Sequence, residues 1–140
     1  WDDAYCEMLK NIIKENNLSY KVDSAFTYAT DQEMELVFKA ADIVVLPYFE
    51  GSQSAVKLMA YSYGRPVLVS DIGGLSEYVL LGKTGETFRA KDSDSFLRKL
   101  DKMWNNLDSY NEQFIKDYTY TNLSWDICAH KVNRIYELFD

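Results

Sequence analysis

Ala41-Asp42-Ile43-Val44-Val45-Leu46-Pro47 and Gly64-Arg65-Pro66-Val67-Leu68-Val69 are the two stretches that decide the fold. Each holds a continuous aliphatic run, strand-sized, without the alternation of a strand that has one wet face. Such a run suits a strand buried on both faces of a parallel sheet. Between them, Ser52 to Tyr63 has helical spacing, with Ala55, Val56, Met59 and Ala60 as its inward stripe and Gly64 at its C-terminal end. Strand, helix, strand in that order forms a βαβ unit with a right-handed crossover.

Toward the C-terminus, a Gly73-Gly74 turn leads into a predicted short helix, Leu75 to Leu81, and Gly85 to Phe88 reads as another strand. Toward the N-terminus, Tyr20 to Phe26 alternates and reads as a strand. Thr30-Asp31-Gln32-Glu33 has the spacing of a capping box and opens a helix with Leu36, Val37 and Ala40 as its buried stripe. Asp2 to Asn16 is an amphipathic helix carrying Tyr5, Met8, Leu9, Ile12 and Ile13. The last third is helical: Asp92 to Asn105 presents Phe96, Leu97, Leu100, Met103 and Trp104, and Ser124 caps a final helix with Ile127, Cys128, Val132, Ile135 and Phe139. The expected class is α/β, a Rossmann-like three-layer sandwich with a mostly parallel sheet of about four strands and C-terminal helices, in one domain over residues 1–140.

The chain has 140 residues, 47% of them hydrophobic, which suffices for one core. A net charge of -7 disfavours nucleic acid and anionic membrane surfaces as partners. No apolar run approaches the roughly 20 residues that span a bilayer. The chain opens without a secretory signal pattern, and Cys6 and Cys128 sit in helical patterns as core residues without metal-ligand spacing. The expectation is a cytoplasmic protein with no metal site and no cofactor. His130 stands apart from any candidate nucleophile and reads as structural.

In an open parallel sheet, ligands bind beyond the carboxyl ends of the strands, where helix N-termini present free N–H groups and a positive dipole end. Two loops fit. Pro47-Tyr48-Phe49-Glu50-Gly51-Ser52-Gln53-Ser54 joins a buried strand to a helix; Gly51 permits close approach, and the N–H groups of Ser52 to Ser54 can hold an anion. Ser52 serves equally well as a local N-cap. Ser70-Asp71-Ile72-Gly73-Gly74 is the second, and its paired glycines also suit a plain tight turn. Tyr48 is placed to stack on a sugar or to pack at the core margin.

The run from Lys39 to Phe88, including Gly82-Lys83-Thr84-Gly85 and Leu75 with Glu77, resembles group 1 glycosyltransferases, the class related to glycogen synthase. The resemblance implies a C-terminal nucleotide-sugar-binding domain, facing an N-terminal acceptor-binding domain, in a retaining enzyme of polysaccharide, glycan or glycolipid biosynthesis. It implies a UDP- or GDP-sugar as substrate. Family members carry two glutamates eight residues apart, which fall here on Gly51 and Met59, neither of them acidic. Glu50, one position early, is the candidate to touch the donor sugar. Ser52-Gln53-Ser54 with Lys57 resembles a bacterial variant of the family, and Lys57 either approaches a phosphate or is an exposed helix lysine. Glu77 matches a family glutamate, although an acid in a helix's first turn is also favoured by the dipole. Gly51, Ser52, Gln53, Ser54, Lys57, Gly73, Gly74 and Glu77 are thus the candidate donor-binding residues.

The same resemblance leads to the expectation that the family domain's first βα unit, with the Arg and Lys that neutralise the diphosphate, and the strand of its second unit precede residue 1, and that this fragment alone is inactive. The parent would be cytoplasmic, or peripheral to the inner membrane. Loss of those units would expose an edge at Ile43 to Leu46, filled either by the Tyr20 to Phe26 strand or by an edge-strand dimer. The alternative function is a non-catalytic nucleotide-sugar-binding or assembly module. A response-regulator domain is set aside because the acidic cluster and lysine it needs are missing from the sequence.

Overall fold

Side-chain caps decide where most helices begin. Asp2 accepts from the N–H groups of Ala4 and Tyr5 and starts α1 (Asp3–Glu15). Thr30 and Glu33 form the expected capping box, with Thr30 N–H donating to the Glu33 carboxylate at 2.7 Å, and α2 (Asp31–Ala40) follows. After the uncapped α3 (Ala55–Ser62), Asp92, Asn111 and Ser124 cap α4 (Ser93–Trp104), α5 (Glu112–Leu123) and α6 (Trp125–Tyr136). A 3₁₀ turn, Leu107–Ser109, lies between α4 and α5.

The computed structural model describes residues 2–139. Contacts divide the chain into one unit up to Met34 and a second from Glu35. In the first, α1 buries Cys6 and half-buries Leu9 and Ile13, while Tyr5, Met8 and Ile12 stay exposed. Tyr20 to Phe26 forms no strand, contrary to expectation. The N–H groups of Lys21 and Val22 turn back to the Leu18 carbonyl at 2.8 and 2.9 Å, so the run opens as a turn, and the poor β-formers Asp23 and Ser24 follow.

In the second unit, β1 (Val44–Leu46), β2 (Val67–Ser70) and β3 (Gly85–Phe88) form a parallel sheet in the order β1-β2-β3. The sheet has three strands where about four were expected, because the Tyr20 segment does not join it; β1 pairs with β2. The expected intrachain filling of the β1 edge is therefore overturned. Register sets Val45, Leu68 and Glu86 side by side on one face, and Val44, Val67 and Gly85 on the other. On the first face Leu68 and Phe88 pack with Met103, Phe96 and Leu100 of α4. Val67 and Val69 on the other are fully buried, and α3 is the helix that contacts both β1 and β2. Helix, sheet and helix make the three layers.

Several expected stripes are rotated. The inward face of α3 is Lys57, Ala60 and Tyr61, while Ala55 and Val56 are exposed. In α2, Phe38 is the buried residue, stacked on Tyr63 at 5.5 Å, and Leu36 and Val37 face outward. Leu97 and Trp104 of α4 are exposed, and α6 buries no residue, leaving Cys128, Val132, Ile135 and Phe139 on the surface. Each of these helices has more apolar surface than the neighbouring elements can cover, so burial follows the contact geometry and not the full stripe.

Gly64 ends α3 at φ +73 in a Schellman motif: Gly64 N–H reaches Tyr61 O at 2.8 Å and Arg65 N–H reaches Ala60 O at 2.9 Å. Glu86 is a fully buried carboxylate in the middle of β3, paired with Lys99 at 2.7 Å and with Lys102. Burial pushes its carboxyl up, but the hydrogen bonds and charges of Lys102 and Lys99 outweigh this and hold it below the usual carboxylate range. A lowered folded value means that the stabilisation is complete above the unfolded value, about pH 4.3, and is lost as pH falls through the folded value. Because the two lysines are 34% and 55% exposed, Glu86→Gln is expected to cost about 2 kcal/mol at pH 7, short of a fully buried pair. The gap between variant and wild type in urea unfolding should narrow below about pH 4; a gap constant from neutral pH to pH 3 would show that the charge contributes nothing.

Candidate functional site

The two loops singled out from the sequence lie beyond the carboxyl ends of β1 and β2 and touch each other. A Cβ built on Gly73 would lie 2.6 Å from the Gly51 carbonyl oxygen, and one on Gly74 would lie 2.7 Å from that of Ser52 and 2.6 Å from Gln53 Nε2. Gly73 also has φ +45. The paired glycines are thus a steric requirement of loop-to-loop packing, beyond a simple turn.

α3 begins at Ala55, three residues after the expected start at Ser52. Ser54 is its N-cap, in extended conformation, and makes no side-chain cap bond; its hydroxyl lies 3.3 Å from the Tyr48 hydroxyl. Tyr48 is therefore tied to the loop by its polar tip. The N-terminal donors of α3 are left without a side-chain acceptor from their own cap, at the point where the two loops meet.

Below that point Lys57 is buried, with 1% exposure. Its ammonium donates to the carbonyls of Leu75 and Glu77, both at 2.7 Å, and of Gly74 at 3.4 Å. This overturns the reading of an exposed helix lysine. Burial pushes the ammonium below the usual lysine range, and the Glu77 carboxylate opposes that shift. One turn further along, the buried Tyr61 hydroxyl meets Thr84 Oγ1 at 3.0 Å, and Thr84 Oγ1 accepts from Leu80 N–H at 2.9 Å. Burial raises the Tyr61 phenol to about 12. Positions four apart on one helix face thus hold both ends of the 74–84 segment.

That segment is a chain of turns, not the short helix expected at Leu75 to Leu81. The Leu75, Glu77 and Val79 N–H groups reach back three residues, to Ile72, Gly74 and Ser76, and Tyr78 sits at φ +62, which interrupts helical continuation. Glu77 consequently does not begin a helix, and the dipole argument for it lapses; its side chain is exposed. Glu50, Gly51, Ser52 and Gln53 are exposed on the first loop, Gly73 is exposed and Gly74 half-buried on the second, and Met59 is half-buried.

A neighbouring hollow of about 360 Å³ is bordered by Pro47, Phe49, Phe88, Lys91, Asp92 and Phe96. Lys91 lies 5.9 Å from the centre of the Phe49 ring. Sequence reading missed Phe49 and Lys91 because their proximity comes from the parallel order of β1 and β3 around β2. Among the described residues no cluster of metal-binding side chains occurs, and no helix is long and apolar enough to cross a membrane.

A parallel sheet with helices on both faces and two loops that meet beyond its carboxyl ends defines a Rossmann-like α/β domain. Residues 6–106 match the family Glycosyl transferases group 1. This chain belongs to the group 1 glycosyltransferases. It is 43% identical over 56 residues to a D-inositol 3-phosphate glycosyltransferase of Pseudarthrobacter chlorophenolicus, a match covering 40% of this chain and 13% of that protein. An uncharacterized glycosyltransferase of Methanocaldococcus jannaschii is 27% identical over 114 residues, covering 79% of this chain and 29% of the relative. Among solved structures, sucrose-phosphate synthase from Thermosynechococcus elongatus superposes with a TM-score of 0.79 at 20% identity, over 97% of this chain and 34% of its own. The C-terminal domain of a group 1 family protein from Francisella tularensis gives 0.74 at 20% identity, over 87% of this chain and 64% of its own. The chain thus corresponds to well under half the length of the curated relatives it matches.

Two glycines separate contact from conformation. Gly82 has φ +74 with nothing within 4 Å of a built Cβ, whereas Gly73 has both positive φ and the Gly51 carbonyl in the way. Gly82→Ala is expected to cost about 1 kcal/mol, the strain of the left-handed conformation alone. Gly73→Ala should cost more in the same urea titration, by about 1 to 2 kcal/mol for the displaced loop. Equal costs would mean that the two loops part freely.

Proposed function

We propose that this chain forms the donor-binding portion of a retaining glycosyltransferase, taking the diphosphate of a UDP- or GDP-sugar at the junction of the 47–54 and 71–78 loops. The observation that carries the reading is the uncapped N-terminus of α3 between two loops that glycines allow to touch, in a chain of this family. Such an end offers N–H donors and about half a positive charge to an anion. Gly51, Ser52, Gln53 and Ser54 supply one wall, Gly73, Gly74 and Glu77 the other, and exposed Glu50 is the side chain nearest in role to the family's sugar-contacting acid. The acceptor, in polysaccharide, glycan or glycolipid assembly, would be held by a separate N-terminal domain, in the cytoplasm or at the inner membrane's inner face.

The Met59 thioether is only a weak acceptor for a ribose hydroxyl, which favours the second reading, a binding module without turnover. The two readings agree on nucleotide binding and differ on transfer.

Isothermal titration with UDP and GDP against inorganic phosphate is expected to show binding of a nucleotide that exceeds the phosphate control. Ser54→Asp places a carboxylate at the α3 N-cap, where it would take the free donors itself and repel an anion. Nucleotide binding should be abolished while the thermal midpoint moves by no more than a few degrees. Unchanged affinity would remove this helix end from the site.

Turnover separates transferase from module. In a polypeptide carrying both domains of the family, Glu50→Gln should lower kcat more than nucleotide affinity, because the sugar and not the nucleotide loses a contact. Wild-type kcat in that variant would take Glu50 out of the site.

A further inference from the structure

We propose that Lys57 is a positioning residue of the donor site, one that never touches the ligand but orients the peptide groups of the 74–78 turn so that their N–H groups face it. The inference rests on the reading above that this surface takes a nucleoside diphosphate.

An ammonium has three donors, and those of Lys57 meet the carbonyls of Gly74, Leu75 and Glu77. With 1% exposure and all three protons engaged, the side chain has nothing left to offer a phosphate. What it does is fix the direction of those carbonyls. The peptide bonds here are trans, so each C=O points opposite to the N–H of the following residue. Drawing the Leu75 and Glu77 carbonyls inward therefore turns the N–H groups of Ser76 and Tyr78 away from the Lys57 ammonium.

Two further features make this orientation dependent on Lys57. The segment is a chain of turns, so no helical ladder dictates where its carbonyls point. Tyr78, at φ +62, holds a conformation that a tyrosine adopts only under constraint. The bare glycines supply the complementary condition, since a side chain at Gly73 or Gly74 would push the turn off the first loop. Lys57 thus joins the loop before α3 to the loop after β2 from beneath, and the two sets of backbone donors become one preset surface. Preset donors bind an anion without the cost of ordering the loops at each encounter.

The test uses the ¹⁵N-labelled chain in solution, well below its thermal midpoint, so that loss of stability does not enter. In the unliganded protein, Lys57→Met is expected to move the amide resonances of Ser76 and Tyr78 while those of Gly85 to Phe88 in β3 stay in place, and to weaken UDP and GDP binding at least tenfold in the folded protein. A variant with unmoved Ser76 and Tyr78 amides, or with wild-type affinity, overturns the assignment. The wild type gives an independent readout should the variant fail to fold. On saturation with the nucleotide that binds, the Ser76 and Tyr78 amides should shift while the Lys57 ¹⁵Nζ resonance does not; the reverse pattern makes Lys57 a direct ligand and defeats the proposal. If neither nucleotide shifts any loop resonance of the wild type, the donor-site reading itself fails. Nucleotide-induced shifts together with a silent Lys57→Met substitution defeat only the role of Lys57.

Discussion

A lysine ammonium held under a loop, beside a tyrosine hydroxyl one helical turn away, is the interaction on which the rest of this unit depends. Lys57 and Tyr61 give α3 a polar inward face where an amphipathic helix would be expected to bury only carbon. The cost is desolvation of a charge and a hydroxyl, visible in the lowered lysine and the raised phenol. What offsets it is the satisfaction of carbonyls in a segment that has no ladder of its own. A hydrocarbon at position 57 would pack as well but would leave the Leu75 and Glu77 carbonyls without this donor.

The same exchange of polar groups for regular structure explains the tight packing around it. Because the 74–84 segment is tied from below, it can pass within van der Waals contact of the first loop, and only glycine at 73 and 74 leaves room. At the other end of α3, Gly64 turns the chain in a Schellman motif, and a Cβ there would lie 2.8 Å from the Glu112 carbonyl oxygen of α5. α3 is thus closely approached at both ends, by a loop at its start and a helix at its finish. Its position relative to β1 and β2 is correspondingly well determined, which suits the proposed role of its N-terminus in presenting donors.

What the sequence made legible follows from which forces are local. The continuous runs at Val44 to Leu46 and Val67 to Val69 announce parallel strands, although only the second is buried on both faces, since β1 lies at the sheet edge with Val44 and Val45 half-buried; the capping residues Thr30 and Ser124 act within a few residues of themselves. The alternation of Tyr20 to Phe26 misled because a strand requires a neighbour, and periodicity describes one face without saying what covers it. The outward turn of Leu36, Val37 and the α6 stripe has the same origin. In the candidate site, the loops and their glycines are readable from strand order and Lys57 can be singled out, but its burial beneath the second loop cannot. Its partners lie 17 to 20 residues along the chain and are backbone carbonyls, which carry no signature in the amino-acid sequence.

The electrostatics of the two loops follow from that assignment. The charge of Lys57 is spent on carbonyl dipoles beneath the surface, and the exposed ionic side chains above it on the loops are the carboxylates Glu50, Asp71 and Glu77. A diphosphate approaching the α3 N-terminus would meet about half a positive charge from the helix end. Backbone donors alone can orient such a ligand, since orientation needs direction more than net charge. Stabilising the charge that develops on a departing nucleotide needs cations, and removing it from water without them is costly. Lys91, beside Phe49 at the margin of the first loop, is a cation the fold brings to this edge, and its ammonium already lies against an aromatic ring. On the proposed reading the surface holds and aligns a nucleotide, and a group-transfer step performed on it would draw positive charge from beyond these two loops.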